Sequence, residues 1–102
     1  MLTLLRRRKA ASVARAPRYR AVPHVVAARH GDRTILLDAR RGRYFGLDQV
    51  GASIWRLLGE GATAAELVAG LEQEYAAPRG QLEQDAGSFL ARLERARLVV
   101  SA

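Results

Sequence analysis

Arg43-Tyr44-Phe45-Gly46-Leu47-Asp48-Gln49-Val50-Gly51-Ala52-Ser53-Ile54-Trp55 is the stretch in which this chain changes its period. Tyr44, Phe45 and Leu47 form a β-prone run. Asp48 is a residue type that accepts hydrogen bonds from the free N–H groups of a first helical turn. Val50, Ile54, Leu57 and Leu58 then follow helical spacing. The segment therefore reads as a short strand, a helix cap and an amphipathic helix in direct succession.

Working back from it, residues 24–47 read as three short strands. His24 to His30 is the first, with β-branched Val25 and Val26. Gly31-Asp32 is a two-residue turn signal. Arg33 to Asp38 is the second strand, with Ile35 and Leu37 on one face and Thr34 and Leu36 on the other. Ala39-Arg40-Arg41-Gly42 makes the second turn, and Gly42 to Leu47 the third strand. Such tight connections give an antiparallel meander in sequence order, which leaves the third strand at an edge.

Working forward, the first helix spans about Gln49 to Leu58 and stops at Gly59-Glu60-Gly61, where glycine supplies a left-handed cap. Thr63-Ala64-Ala65-Glu66 is a capping box. It opens a second helix from Ala64 to about Tyr75, with Leu67, Val68 and Leu71 inward. Pro78 and Gly80 break the chain, and a third helix runs from about Gln81 to Arg97. Leu82, Ala86, Phe89, Leu90, Leu93 and Ala96 form its apolar stripe. Leu98-Val99-Val100 ends the domain as an apolar tail or short strand. The expected fold is α+β and winged-helix-like: a three-stranded antiparallel meander followed by three α-helices packed on one face.

Length and charge bound what such a chain does. Its 102 residues suffice for one small domain, whose thin core gives poor shelter to a deep active site. Cysteine is absent, which removes disulfides and thiolate chemistry and fits a reducing cytoplasm. No apolar run approaches the roughly 20 residues of a membrane span. The net charge of +7 is unevenly spread. Residues 1–46 carry 12 Lys/Arg against Asp32 and Asp38, whereas residues 47–102 carry 5 Arg against 8 acids. Residues 1–22 read as a basic, flexible tail, and residues 23–102 as the folded domain.

Catalysis finds little support. His24 and His30 lie in or beside a strand with no cysteine and no convincing carboxylate partner nearby in sequence, so a metal site would need ligands from elsewhere. None of the four serines lies in a nucleophile-elbow pattern. Gly59-Glu60-Gly61-Ala62-Thr63-Ala64 matches a dinucleotide glycine pattern only superficially, because it follows a helix instead of a strand. No cofactor is expected. A small winged-helix DNA-binding protein is the alternative reading. Against it, the second helix carries Glu66, Glu72 and Glu74 with no basic residue, and the third mixes Arg92, Arg95 and Arg97 with acids. What remains is a binding module. An edge strand offers unpaired N–H and C=O groups that another chain completes by adding a strand. The segment Arg43 to Leu47 is such an edge. Phe45 and Leu47 also suit the core, and a groove needs only their backbone and part of their surface.

The order Ile35-Leu36-Leu37-Asp38, Gly42-Arg43-Tyr44-Phe45-Gly46-Leu47-Asp48, Gly51-Ala52-Ser53-Ile54-Trp55-Arg56-Leu57-Leu58, Glu74-Tyr75, then Asp85 with Phe89-Leu90-Ala91-Arg92-Leu93, resembles the PqqD-like proteins. These are the leader-recognition domains (RiPP recognition elements) of ribosomally made, modified peptides. The match spans about residues 24–100 and is most similar to stand-alone members from lasso-peptide pathways. Two positions depart from the pattern: Asp48 stands where Asn is frequent, and Arg97-Leu98 where Gly-Leu is frequent. The resemblance implies a non-catalytic adaptor, for which the absence of cysteine fits a cytoplasmic location. It implies that a precursor's leader adds as an antiparallel strand to the third strand and lies against the third helix. The adaptor would present it to processing enzymes: a leader protease of the transglutaminase-like type and an asparagine-synthetase-like cyclase. On this sequence the strand face is Arg43, Tyr44, Phe45, Gly46 and Leu47, and the helix face includes Asp85, Phe89, Arg92 and Leu93.

Overall fold

A computed structural model describes residues 16–102. Its elements are β1 (Arg18–Ala21), β2 (Val25–His30), β3 (Arg33–Asp38), β4 (Arg43–Leu47), α1 (Gln49–Leu58), β5 (Ala62–Thr63), α2 (Ala64–Glu74), α3 (Arg79–Arg95) and β6 (Val99–Ser101). The meander is present as an antiparallel sheet in the order β2-β3-β4, with β4 at its edge. Gly31 and Gly42 sit in its two turns at φ +68° and +63°, a conformation that a β-carbon disfavours.

A second sheet, β5-β1-β6, was not expected from the sequence. Its central strand lies within the stretch read as flexible tail. Arg18 pairs with Thr63, and Tyr19, Arg20 and Ala21 pair with Ser101, Val100 and Val99. The folded domain therefore takes in residues 18–22, and Val22 N–H donates to the Leu98 carbonyl at 3.0 Å. Residues 1–15 of the expected tail lie outside the described residues. Arg18 also pairs with Glu66 at 3.2 Å, but both side chains are about half exposed. Such a solvent-screened pair contributes little, so the two ladders and half-buried Tyr19 hold β1 in place.

The helices form as their caps and apolar stripes require. Asp48 accepts from Gly51 N–H at 2.7 Å and starts α1. In the capping box of α2, Glu66 N–H donates to Thr63 Oγ1 at 3.1 Å and Thr63 N–H donates to Glu66 Oε1 at 2.8 Å. The third helix begins at Arg79, earlier than expected, because Pro78 tolerates the position before a first turn, whose N–H groups are unpaired anyway. At its other end Leu98 N–H donates to the Leu93 carbonyl and Arg97 N–H to that of Glu94. This is a Schellman turn with Arg97 in the position glycine usually fills, at φ +61°. That backbone costs a residue with a β-carbon roughly 1–2 kcal/mol.

The core joins one face of β2-β3-β4 to all three helices. Leu36 and Leu47 from the sheet meet Ile54 and Leu58 of α1, Leu67 and Leu71 of α2, and Leu82, Phe89, Leu90 and Leu93 of α3. Gly70 allows α1 and α2 their close approach, since a β-carbon there would come within 2.8 Å of the Leu57 methyl groups. Among the described residues no helix is long and apolar enough to cross a membrane.

Candidate functional site

The backbone direction of β4 follows from the hairpin before it. His30 and Arg33 flank a two-residue turn, so they form a hydrogen-bonded pair. Alternation then turns Arg33, Ile35 and Leu37 toward β2, and Thr34, Leu36 and Asp38 toward β4. Their partners Leu47, Phe45 and Arg43 are thereby bonded inward. Tyr44 and Gly46 present their N–H and C=O groups to the open edge.

Side chains alternate on the same strand. Leu47 is buried and Phe45 half-buried on the core face. Tyr44 is 74% exposed on the opposite face, in a cross-strand row with Leu37 and Val26. Beside the open edge, a groove of about 210 Å³ lies between β4 and α3, lined by Phe45, Gly46, Leu47, Phe89, Arg92, Leu93, Ala96 and Leu98. A second depression, of about 430 Å³, shares Gly46, Leu47, Phe89 and Arg92 and adds Asp85, Ser88, Val50 and Gly51. Seven of the nine residues singled out from the sequence thus line one trough.

The other two frame it. Tyr44 contributes its backbone edge. Arg43 closes one end, donating to the Ala96 carbonyl at 2.8 Å across the top of α3. Its guanidinium lies 5.2 Å from the centre of the Phe45 ring, and that of Arg92 lies 5.7 Å from the Phe89 ring. Each aromatic wall is thus covered by an arginine. The ring of Phe89 is fixed from below. A β-carbon on Gly51 would stand 3.3 Å from Phe89 Cζ and 3.0 Å from Asp48 Oδ1, so the glycine admits α1 close beneath α3. Gly51, Ala96 and Leu98 were not singled out as site residues. Ala96 continues the spacing of Phe89 and Leu93, but the role of Gly51 depends on a contact between helices that no local pattern shows.

Asp38 anchors the turn that precedes β4. Its carboxylate is fully buried. It accepts from the N–H groups of Arg40 and Arg41 at 3.2 Å and from the Arg43 guanidinium at 3.4 Å. Burial pushes this carboxyl up, but the Arg41 N–H, the Arg43 guanidinium, the charge of His24 and the Arg40 N–H together outweigh it, and the net shift is below the ordinary 3.8. A carboxyl depressed in the folded state stabilises the fold above its unfolded pKa, and that contribution is lost as pH falls through the folded value. We expect melting temperature to hold near neutrality and fall below about pH 4. Asp38→Asn should melt lower at pH 7, and its deficit against wild type should shrink toward pH 3. A deficit that stays constant over this range would contradict the assignment.

An edge strand with free polar groups, backed by an apolar groove with cationic borders, is the geometry that suits an extended peptide added as a further strand. The chain belongs to the family of coenzyme PQQ synthesis protein D (PqqD), whose model matches residues 33–99. Two solved structures are similar. One is TbiB1 in complex with the TbiA(beta) leader peptide, 39% identical, covering 78% of this chain and 93% of that one with a TM-score of 0.71. The other is a lasso peptide synthetase B1 complexed with the leader peptide, 27% identical, covering 80% and 96% of the two chains with the same TM-score of 0.71. No curated protein matches.

Proposed function

We propose that this chain is a non-catalytic adaptor that captures the leader of a ribosomally made precursor peptide. The leader adds antiparallel to β4, bonds to the outward groups of Tyr44 and Gly46, and rests its side chains in the trough against α3. The observation that carries the reading is the open β4 edge beside the Phe45–Phe89 groove. The leader complexes of the two similar B1 proteins support it. Arg43, Asp85 and Arg92 border the trough and select for peptide polarity and register. The bound leader is then offered to processing enzymes: in a lasso pathway, a leader protease of the transglutaminase-like type and an asparagine-synthetase-like cyclase.

The test is a titration with the cognate leader followed by mass spectrometry of the peptide. The chain should bind the leader and return it unchanged. Affinity should fall only modestly between 50 and 200 mM salt, because backbone bonds and apolar contacts are weakly screened. A duplex-DNA binder contacting 6–10 phosphates loses about 10³–10⁵ over that range. Tight, sequence-selective duplex binding at 200 mM salt, or cleavage of the leader by this chain alone, would overturn the proposal.

A further inference from the structure

Beyond the Arg43 end of β4 lies a separate cleft of about 690 Å³ between the β3–β4 turn, the end of α3 and β6, with Val22, Val99 and Val100 among its walls. Its basic side chains are His24, Arg40, Arg41 and Arg97, against a single carboxylate in its lining, Glu94. Arg41 is drawn to buried Asp38 at 3.7 Å. Arg40 and Arg97 have no carboxylate within ion-pair distance among the described residues. His24 Nε2 is buried without a hydrogen-bond partner there, standing 3.4 Å from Asp38 Oδ1 outside bonding geometry. The positive φ of Arg97 adds an independent observation. Glycine would close the Schellman turn without strain, yet the chain places at that position a long cation that lines the cleft.

We infer that this cleft is a second binding site, for a carboxylate-bearing peptide segment. Arginine pairs with carboxylates through parallel N–H donors, and a space this large holds several residues, where a water occupies about 30 Å³. The inference rests on the strand-addition reading for the source of the segment. A leader running antiparallel to β4 leaves that strand at Arg43, and Arg97, the residue that follows the Arg43–Ala96 bridge, already lines the cleft. The downstream part of the leader carries the acidic side chains that occupy it.

The test uses the full chain, ¹⁵N-labelled, titrated with hexaglutamate at low salt and with hexaglutamine as control. The amides of His24, Arg40, Arg41 and Arg97 should shift together with hexaglutamate and stay still with hexaglutamine. The double variant Arg40→Gln/Arg97→Gln, which alters exposed side chains only, should keep its spectrum and bind hexaglutamate about tenfold more weakly or worse. Arg97→Gly should melt at a higher temperature and yet bind hexaglutamate more weakly, an opposition that a purely structural role would not produce.

The cognate leader, whole and truncated after the segment that pairs with β4, separates this inference from the one beneath it. Wild type should prefer the whole leader by about tenfold, and Arg40→Gln/Arg97→Gln should bind both alike. Equal binding of both leaders by wild type overturns the second site and leaves the β4 reading standing. Failure of both leaders, with the hexaglutamate shifts intact, overturns the β4 reading and leaves the cleft. Hexaglutamate shifts confined to residues 6–9, or spread evenly over all arginines, overturn the cleft. So does duplex DNA that moves the same four amides at lower concentration.

Discussion

Gly46→Pro should abolish leader binding while leaving the protein folded. The Gly46 N–H faces the open edge, so proline there removes no bond to β3, and its ring projects where an added strand would lie. Proline is tolerated on a strand whose N–H side faces solvent. Leader affinity should fall roughly a hundredfold or more, ~3 kcal/mol, because a buried acceptor on the leader loses its donor and the ring obstructs pairing. Melting temperature should shift by only a few degrees. Tyr44→Pro should behave alike, since its N–H points the same way. Phe45→Pro is the contrast: its N–H bonds inward to Leu36, so that variant should lose the ladder and much of its stability. Calorimetric titration beside thermal melting reads both halves. A folded Gly46→Pro that binds leader like wild type would place the site elsewhere.

Phe89→Ala should cost both stability and binding. The side chain is 8% exposed and packs with Leu47 and Leu93 in the core, so truncation should destabilise by about 3–5 kcal/mol. For a domain with a total stability of roughly 5–15 kcal/mol, that is a large share. The same ring lines the groove and lies beneath Arg92. Phe89→Leu isolates the second role. It keeps most of the apolar volume, should stay folded, and should still bind leader about tenfold more weakly, because the flat wall and the arginine contact are gone. Denaturant melts of both variants, with leader titrations on those that remain folded, check the pair. Undiminished leader affinity in Phe89→Leu would remove Phe89 from the site.

The parts of the fold that were legible in the sequence are those whose signals are local. Gly31-Asp32 and Ala39–Gly42 mark turns short enough to fix strand order, so β4 could be placed at an edge. Asp48 and the Thr63–Glu66 box mark helix starts by their own hydrogen-bonding chemistry. The second sheet was not legible. Arg18-Tyr19-Arg20-Ala21 lies between Pro17 and Pro23 in a basic stretch, and its polar alternation reads as solvated chain. It becomes a strand because Ala62–Thr63 and Val99–Ser101 pair with it from distant positions, and strand preference of this kind is set by context. Thr63 shows the same limit: it caps α2 as read, and it also pairs with Arg18.

The site divides in the same way. The edge Arg43–Leu47 follows from strand order, whereas the outward direction of Tyr44 and Gly46 takes the observed register of β2, β3 and β4 to establish. That Asp85, Phe89, Arg92 and Leu93 would face this edge is a tertiary fact. Their helical spacing puts Phe89 and Leu93 on an apolar stripe without saying which strand the stripe meets, and only the family resemblance supplied that. The cleft at Arg97 depends on a turn in which arginine stands where glycine is expected, a departure visible in the sequence whose consequence appears only with the positive φ and the neighbouring Arg40 and Arg41.

A leader that adds as a strand to the open edge of β4 must cover the outward amides of that strand. Amide hydrogen exchange of Tyr44 and Gly46, measured with and without saturating cognate leader, tests it most directly. In the free chain both N–H groups face the open edge and should exchange quickly, while those of Phe45 and Leu47, bonded to β3, should be slow. Leader binding should slow Tyr44 and Gly46 strongly and change Phe45 and Leu47 much less. A leader that binds tightly while Tyr44 and Gly46 continue to exchange as in the free chain would rule out strand addition at β4.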